Sequence, residues 1–142
     1  MRSKSSSQKG ASLVEFALVL PLLMLILLGI AEFGFLLYNK QVITNASREG
    51  ARAGIVAQNP RVSNGAIVGV VNTYCTGHLI PSGGSAGVTT SAPAGTLFGQ
   101  PLTVTVTYPY QFLVFDNIVR AFFGGTYVEG ITLTAVTVMR YE

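Results

Sequence analysis

The sequence predicts an α+β protein: a long N-terminal membrane-spanning helix whose distal half packs on a small antiparallel β-sheet domain. Three observations predict it. Phe16 to Ala31 is a run of 16 residues without a charge. The apolar face of that run continues, now interrupted by polar residues, as far as Asn59-Pro60. Two later stretches alternate apolar residues with threonine, the period of a half-buried strand. The chain has 142 residues, room for one modest domain beyond the helix. Charged residues make up 11% and apolar ones 49%, a composition outside that of disordered chains.

Residues 1–10 are polar, serine-rich and basic, and form a leader ending at Gly10. The net charge of +3 belongs to it: without Arg2, Lys4 and Lys9, the nine basic residues fall to six, against six acids. The charge therefore points to an N-terminus held on the cytoplasmic side of a membrane rather than to a nucleic-acid partner. An ordinary secretory signal has a shorter apolar core and a small-x-small cleavage site, and neither fits here.

Residues 11–37 read as a transmembrane and assembly helix. The uncharged run spans about 24 Å, slightly short of a hydrocarbon core of about 30 Å. Glu15 and Glu32 then fall near the two interfaces, where a carboxylate reaches water. Pro21 lacks an amide hydrogen and leaves the carbonyl of Ala17 unpaired, so a kink or a locally melted turn is expected there. Residues 38–142 form the external α+β domain, with the amphipathic distal half of the helix as its spine. On that half Ala46, Gly50 and Gly54 recur every four residues, a stripe that lets another backbone approach closely. Either the domain's own sheet or a neighbouring subunit's helix can use it. Arg48, Glu49 and Arg52 lie off the stripe, on a solvated face.

Ser63 caps a second helix carrying Ile67, Val68, Val71 and Tyr74 on one side and ending near Thr76-Gly77. Residues 81–101 are rich in Gly, Ser, Thr and Pro and read as loop, with a weak strand near Val88–Ser91. Ser82-Gly83-Gly84-Ser85 is not a phosphate loop, because no Gly-Lys-Ser/Thr follows. Leu102–Tyr108 is the cleanest strand, and Ile131–Met139 is its partner. The alternation in the second strand changes phase near Ala135, which marks a bulge or a strand end covered on both faces. Between the strands, Phe115, Ile118, Val119, Phe122 and Phe123 share one face of a short helix opened by Asp116 or Asn117 and stopped by Gly124-Gly125. That helix is either a flap over the core or a patch for a partner or a membrane surface.

No chemistry-bearing constellation emerges, so no enzyme, metal or cofactor is expected. There is one histidine, and Asp116 and Glu129 are far apart. Cys75 and His78 are two ligands where a structural zinc site wants four. A single cysteine also excludes an intrachain disulfide, leaving Cys75 as a small buried apolar group or an intermolecular link.

Gly10-Ala11-Ser12-Leu13-Val14-Glu15-Phe16 resembles the processing site of type IV pilin-like proteins, which are cut after the glycine and carry glutamate at the fifth mature position. The Val14-Glu15-Phe16-Ala17-Leu18-Val19-Leu20-Pro21 core and the Ala46–Arg52 segment are similar to the TadE-like family of the tight-adherence (Tad) pilus system. The resemblance covers residues 10–54 and, more weakly, the closing residues 138–142. It implies a minor pilin or pseudopilin, cut between Gly10 and Ala11 by a membrane-embedded prepilin peptidase. Such a protein works with other pilin or pseudopilin subunits and the inner-membrane pilus assembly platform, in pilus assembly and surface adhesion. It implies an inner-membrane location before processing, and a periplasmic or extracellular one in a pilus afterwards. Within this reading Glu15 pairs with the new Ala11 amine of its own or a neighbouring chain, two charges that are costly apart in an apolar bundle. The alternatives are a Glu15 that only reaches for water, and an uncleaved single-span protein presenting a binding or scaffold domain.

Overall fold

The computed structural model describes residues 5–57, 60–82, 89–91, 98–124 and 130–141. Its elements, in order, are α1 (Ser5–Ile55), α2 (Asn64–His78), β1 (Thr89–Ser91), β2 (Pro101–Tyr110), α3 (Phe115–Phe123) and β3 (Ile131–Arg140). The predicted α+β architecture is the observed one. The strands form one antiparallel sheet in the order β1-β2-β3. α1 and α2 cover one face of it, and the core lies between them.

α1 is a single element of 51 residues, unbroken across Pro21, so no turn is melted there. It begins at Ser5, before Gly10, and ends at Ile55, a few residues before the predicted stop, of which Asn59 lies outside the described residues. α2 starts as expected, with the Ser63 hydroxyl accepting from the Ala66 N–H at 3.2 Å. Of the polar stretch 81–101, Gly83–Val88 and the residues from 92 to 97 lie outside the described residues. The predicted weak strand is β1, and Thr89–Ser91 pair with Thr107–Thr105 of β2.

β2 carries the core's apolar comb. Leu102, Val104, Val106, Tyr108 and Tyr110 are buried, while the residues between them face outward. β3 corrects the sequence reading. Its pairing with β2 is continuous from Pro101↔Arg140 to Tyr110↔Ile131, with neither a bulge nor a covered end. The strand keeps its pleat and accepts the wrong residue types. Thr137 turns inward, where its hydroxyl finds Ser47 Oγ at 2.7 Å. Val136 and Val138 turn outward and are each 59% exposed.

The domain-facing stripe of α1 follows helical spacing: Glu32, Leu36, Asn39, Ile43, Ala46 with Ser47, Gly50 and Gly54. Its side chains shrink toward the upper end, and that lets β2 and α2 come close. A Cβ on Gly50 would overlap Val71, and one on Gly54 would stand 2.5 Å from Leu102 Cδ2 and 2.7 Å from Ile67 Cδ1. Arg48, Glu49 and Arg52 are exposed, off the stripe.

Two outcomes follow from this packing. Gly54→Val should lower the stability of the detergent-solubilised protein by about 1–3 kcal/mol, measured by denaturant unfolding, because the added methyls have no room. Cys75 is 1% exposed and burial raises its thiol above the ordinary range. It should resist alkylation in the native protein and react in denaturant; native labelling at the rate of a free thiol would contradict its place in the core.

Candidate assembly helix and its anchor

From Gly10 to Ala31 no residue of α1 is buried. Leu13 is 69% exposed, Phe16 60% and Leu18 74%. α1 is also the one helix, among the described residues, long and apolar enough to cross a membrane. So large an unpartnered apolar surface has to be covered by lipid or by other helices.

Every sequence-predicted residue of this half stands on that open surface. Gly10, Ala11, Glu15 and Pro21 are all exposed. A Cβ on Gly10 would meet nothing within 4 Å, so the chain's own packing makes no demand for glycine there. Gly50 and Gly54 are the reverse case, since their missing side chains are filled by α2 and β2 of the same chain. Glu15 lies four residues from Ala11 on one helix face, about one turn away. The structure therefore brings together the stripe Ala46, Gly50 and Gly54 with α2 and β2, and leaves Gly10, Ala11 and Glu15 apart from the domain.

Glu32 behaves otherwise, and here the sequence reading was wrong. Expected to reach water, it is 3% exposed and fully engaged. Its Oε1 accepts from the Tyr110 hydroxyl at 3.1 Å and from the Leu113 N–H. Its Oε2 accepts from the Val114 N–H at 3.0 Å and the Phe115 N–H at 3.3 Å. A carboxylate without a counter-ion tolerates burial only when hydrogen bonds replace its water, and these four do so. They also correct the expected start of α3. The N-cap is Val114, which has no capping side chain, and neither Asp116 nor Asn117 opens the helix. Asp116 instead pairs with Arg120 at 2.7 Å. The carboxylate that caps α3 comes from a residue more than 80 positions away in the chain, and it lies at the helix end that favours negative charge.

Two further polar residues on the same stripe hold other segments. The side-chain amide of Asn39, fully buried, donates to the Ile80 carbonyl and accepts from the Ile80 N–H, each at 3.0 Å. Ser47 holds Thr137. Beside Asn39, the Tyr108 hydroxyl bonds both Ser82 and the Ile80 carbonyl. Glu32, Asn39 and Ser47 thus fasten three separate parts of the domain to one helix. The sequence signal for Glu32 was indirect: it is the one acid at the upper mouth of the apolar run.

Residues 10–52 match the model of the TadE-like protein family. The TadE-like segment begins at Gly10 and ends inside α1, so it covers the exposed half and the domain-facing stripe but none of the sheet. No curated protein and no solved structure matches the chain. Among the described residues, no three His, Cys, Asp or Glu side chains come together as metal ligands would.

Glu32→Ala should destabilise the domain by about 3 kcal/mol or more, since it strands one buried and three part-buried donors at once. Glu32→Gln should cost less, because one acceptor oxygen remains. Denaturant unfolding and proteolytic cutting within 111–130 check both. A pH dependence follows as well. Burial, then the hydrogen bond to Glu32 and its negative charge, push the Tyr110 phenol from its ordinary 10.0 up to about 12. Folding raises this pKa, so the stability that it contributes is whole below pH 10 and is lost as pH rises through about 12. Tyr110→Phe should flatten that alkaline loss, read as the denaturant midpoint against pH.

Proposed function

We propose that this chain is a pilin-like structural subunit of a Tad-type pilus, a minor pilin or pseudopilin rather than an enzyme. The observation that carries the reading is the TadE-like match falling on a helix whose first half leaves its apolar surface open among the described residues. A single apolar helix near the N-terminus fits a single-span membrane protein. In this reading residues 1–10 are a leader on the cytoplasmic side, residues 11–37 span the bacterial inner membrane, and residues 38–142 lie outside it. A prepilin peptidase cuts after Gly10. The openness around Gly10 supports this, because no described part of the chain calls for a small residue there. The same surface later meets other pilin or pseudopilin helices or the assembly platform.

Cleavage creates an ammonium group on Ala11. In a helix bundle the Glu15 carboxylate of one subunit lies within reach of that amine on its neighbour. Apart, each charge is expensive in an apolar bundle; together they select one axial offset between subunits. Glu15 has no role in the chain's own core, and that leaves it available for this pairing.

The intact mass of the protein extracted from membranes of cells with a working prepilin peptidase tests the reading. Loss of residues 1–10 is expected. A full-length chain would instead point to an uncleaved single-span protein that presents a binding or scaffold domain. Glu15→Ala should still be cut, yet be depleted from sheared pili or from pull-downs of assembly partners. Normal incorporation would reduce Glu15 to an acid that only reaches for water.

A further inference from the structure

The membrane span read above sets the level of the bilayer along α1, and the following inference rests on it. The uncharged run ends at Ala31, so Glu32 marks the outer edge of the hydrocarbon. The fold determines what else stands at that level. β2 descends along α1, with Leu102 against Gly54, Val104 beside Gly50 and the Tyr110 hydroxyl on Glu32. Tyr110 pairs with Ile131. Both ends of the connection between β2 and β3 therefore lie at the level of Glu32. Its described part, the loop Gln111–Val114 and α3, starts from the membrane-facing end of the domain.

This part is largely apolar and, apart from Phe112, which packs against the edge of the core, stands outside it. α3 touches α1 and no other element among the described residues. None of its residues from 115 to 121 belongs to the core. Phe115, Ile118 and Val119 are only half-buried, and Val114 is 37% exposed. A groove lined by Gly29, Glu32, Phe33, Phe112 and Phe115 runs between this part and α1. Phe33 is 59% exposed, so the groove is continuous with the apolar surface of the span. Asn117 and Arg120 are exposed on α3, groups suited to the headgroup layer.

We propose that the loop 111–114 and α3 form a foot that seats the domain in the headgroup–acyl boundary of the membrane. The partner is the lipid bilayer surface. Short amphipathic helices bind there by burying an apolar face a few ångströms below the headgroups. Two features select lipid over a second copy of the chain: the level of the foot, set by Glu32, and its continuity with the apolar surface of α1. With α1 as one attachment and the foot as another, the domain is held at a set inclination to the membrane before assembly.

The chain contains no tryptophan, so single probes read cleanly. Val114→Trp and Ala121→Trp replace exposed residues of the foot, and either alone suffices if the other fails to fold. Leu23→Trp marks the span, and Phe98→Trp marks the opposite pole, where residue 98 is 82% exposed. Each full chain is reconstituted in phosphatidylcholine–phosphatidylglycerol vesicles with or without lipid brominated high on its acyl chains, and Leu23→Trp also with lipid brominated deep in the chain. The foot probes should lose fluorescence to the shallow bromines, Leu23→Trp to the deep ones and Phe98→Trp to neither. Foot probes as unquenched as Phe98→Trp, beside a quenched Leu23→Trp, would overturn the foot and spare the span. An unquenched Leu23→Trp would overturn both. A foot signal that follows the protein-to-lipid ratio and ignores bromination would show a second copy as the occupant, against the proposal.

Discussion

The structure depends on a buried carboxylate that has no counter-ion among the described residues. Glu32 sits where the uncharged run of α1 ends, and it takes its four hydrogen bonds from the far side of the domain. An unpaired charge in an apolar setting is tolerable only when donors surround it, so Glu32 and the chain from Tyr110 to Phe115 have to stay together. That demand places the lower end of β2 and the start of α3 against α1. It also gives α3 the cap that its own sequence lacks. Asn39 and Ser47 repeat the principle higher on the same stripe, with Ile80 and Thr137. Apolar packing draws the sheet onto α1 without direction, whereas these three polar contacts fix how far along the helix each segment sits.

The two halves of α1 use their small and charged residues in opposite ways. In the upper half, Ala46, Gly50 and Gly54 are consumed inside the chain, by α2 and β2. In the lower half, Gly10 and Glu15 are exposed and stand away from the described core. A residue type that the fold does not require, at a position the TadE-like match begins with, is better explained by something outside the chain. The division suits a subunit that folds by its upper half and assembles by its lower half.

Much of this fold was legible from residue pattern alone. The run from Phe16 to Ala31 and its amphipathic continuation announced one long helix. Ser63 announced the start of α2, and the threonine alternation announced β2 and β3. What escaped had a common cause: it depended on partners distant in sequence. The region near Ala135 read as a bulge or a strand end covered on both faces, because pattern rules assume that apolar residues turn inward. In the fold, Ser47 offered a hydroxyl to Thr137 and the pleat was kept. Asp116 and Asn117 read as caps because capping is usually local, while Glu32 supplied the cap from across the molecule. Glu32 itself read as an interfacial acid, since nothing within its own helix reveals Leu113, Val114 and Phe115. Gly10 and Glu15 stood out as a motif, but a motif cannot show that both lie exposed, away from the described core.

Amide hydrogen exchange at Leu113, Val114 and Phe115 tests the role of Glu32 most directly. These three N–H groups belong to no strand ladder and no intrahelical bond, so their protection depends on the Glu32 carboxylate. In the membrane-reconstituted protein they should exchange slowly, as core amides of β2 do, and Glu32→Gln should release Val114 and Phe115 while the β2 amides stay protected. Exchange of all three at the rate of an open loop in the unsubstituted protein would contradict the account.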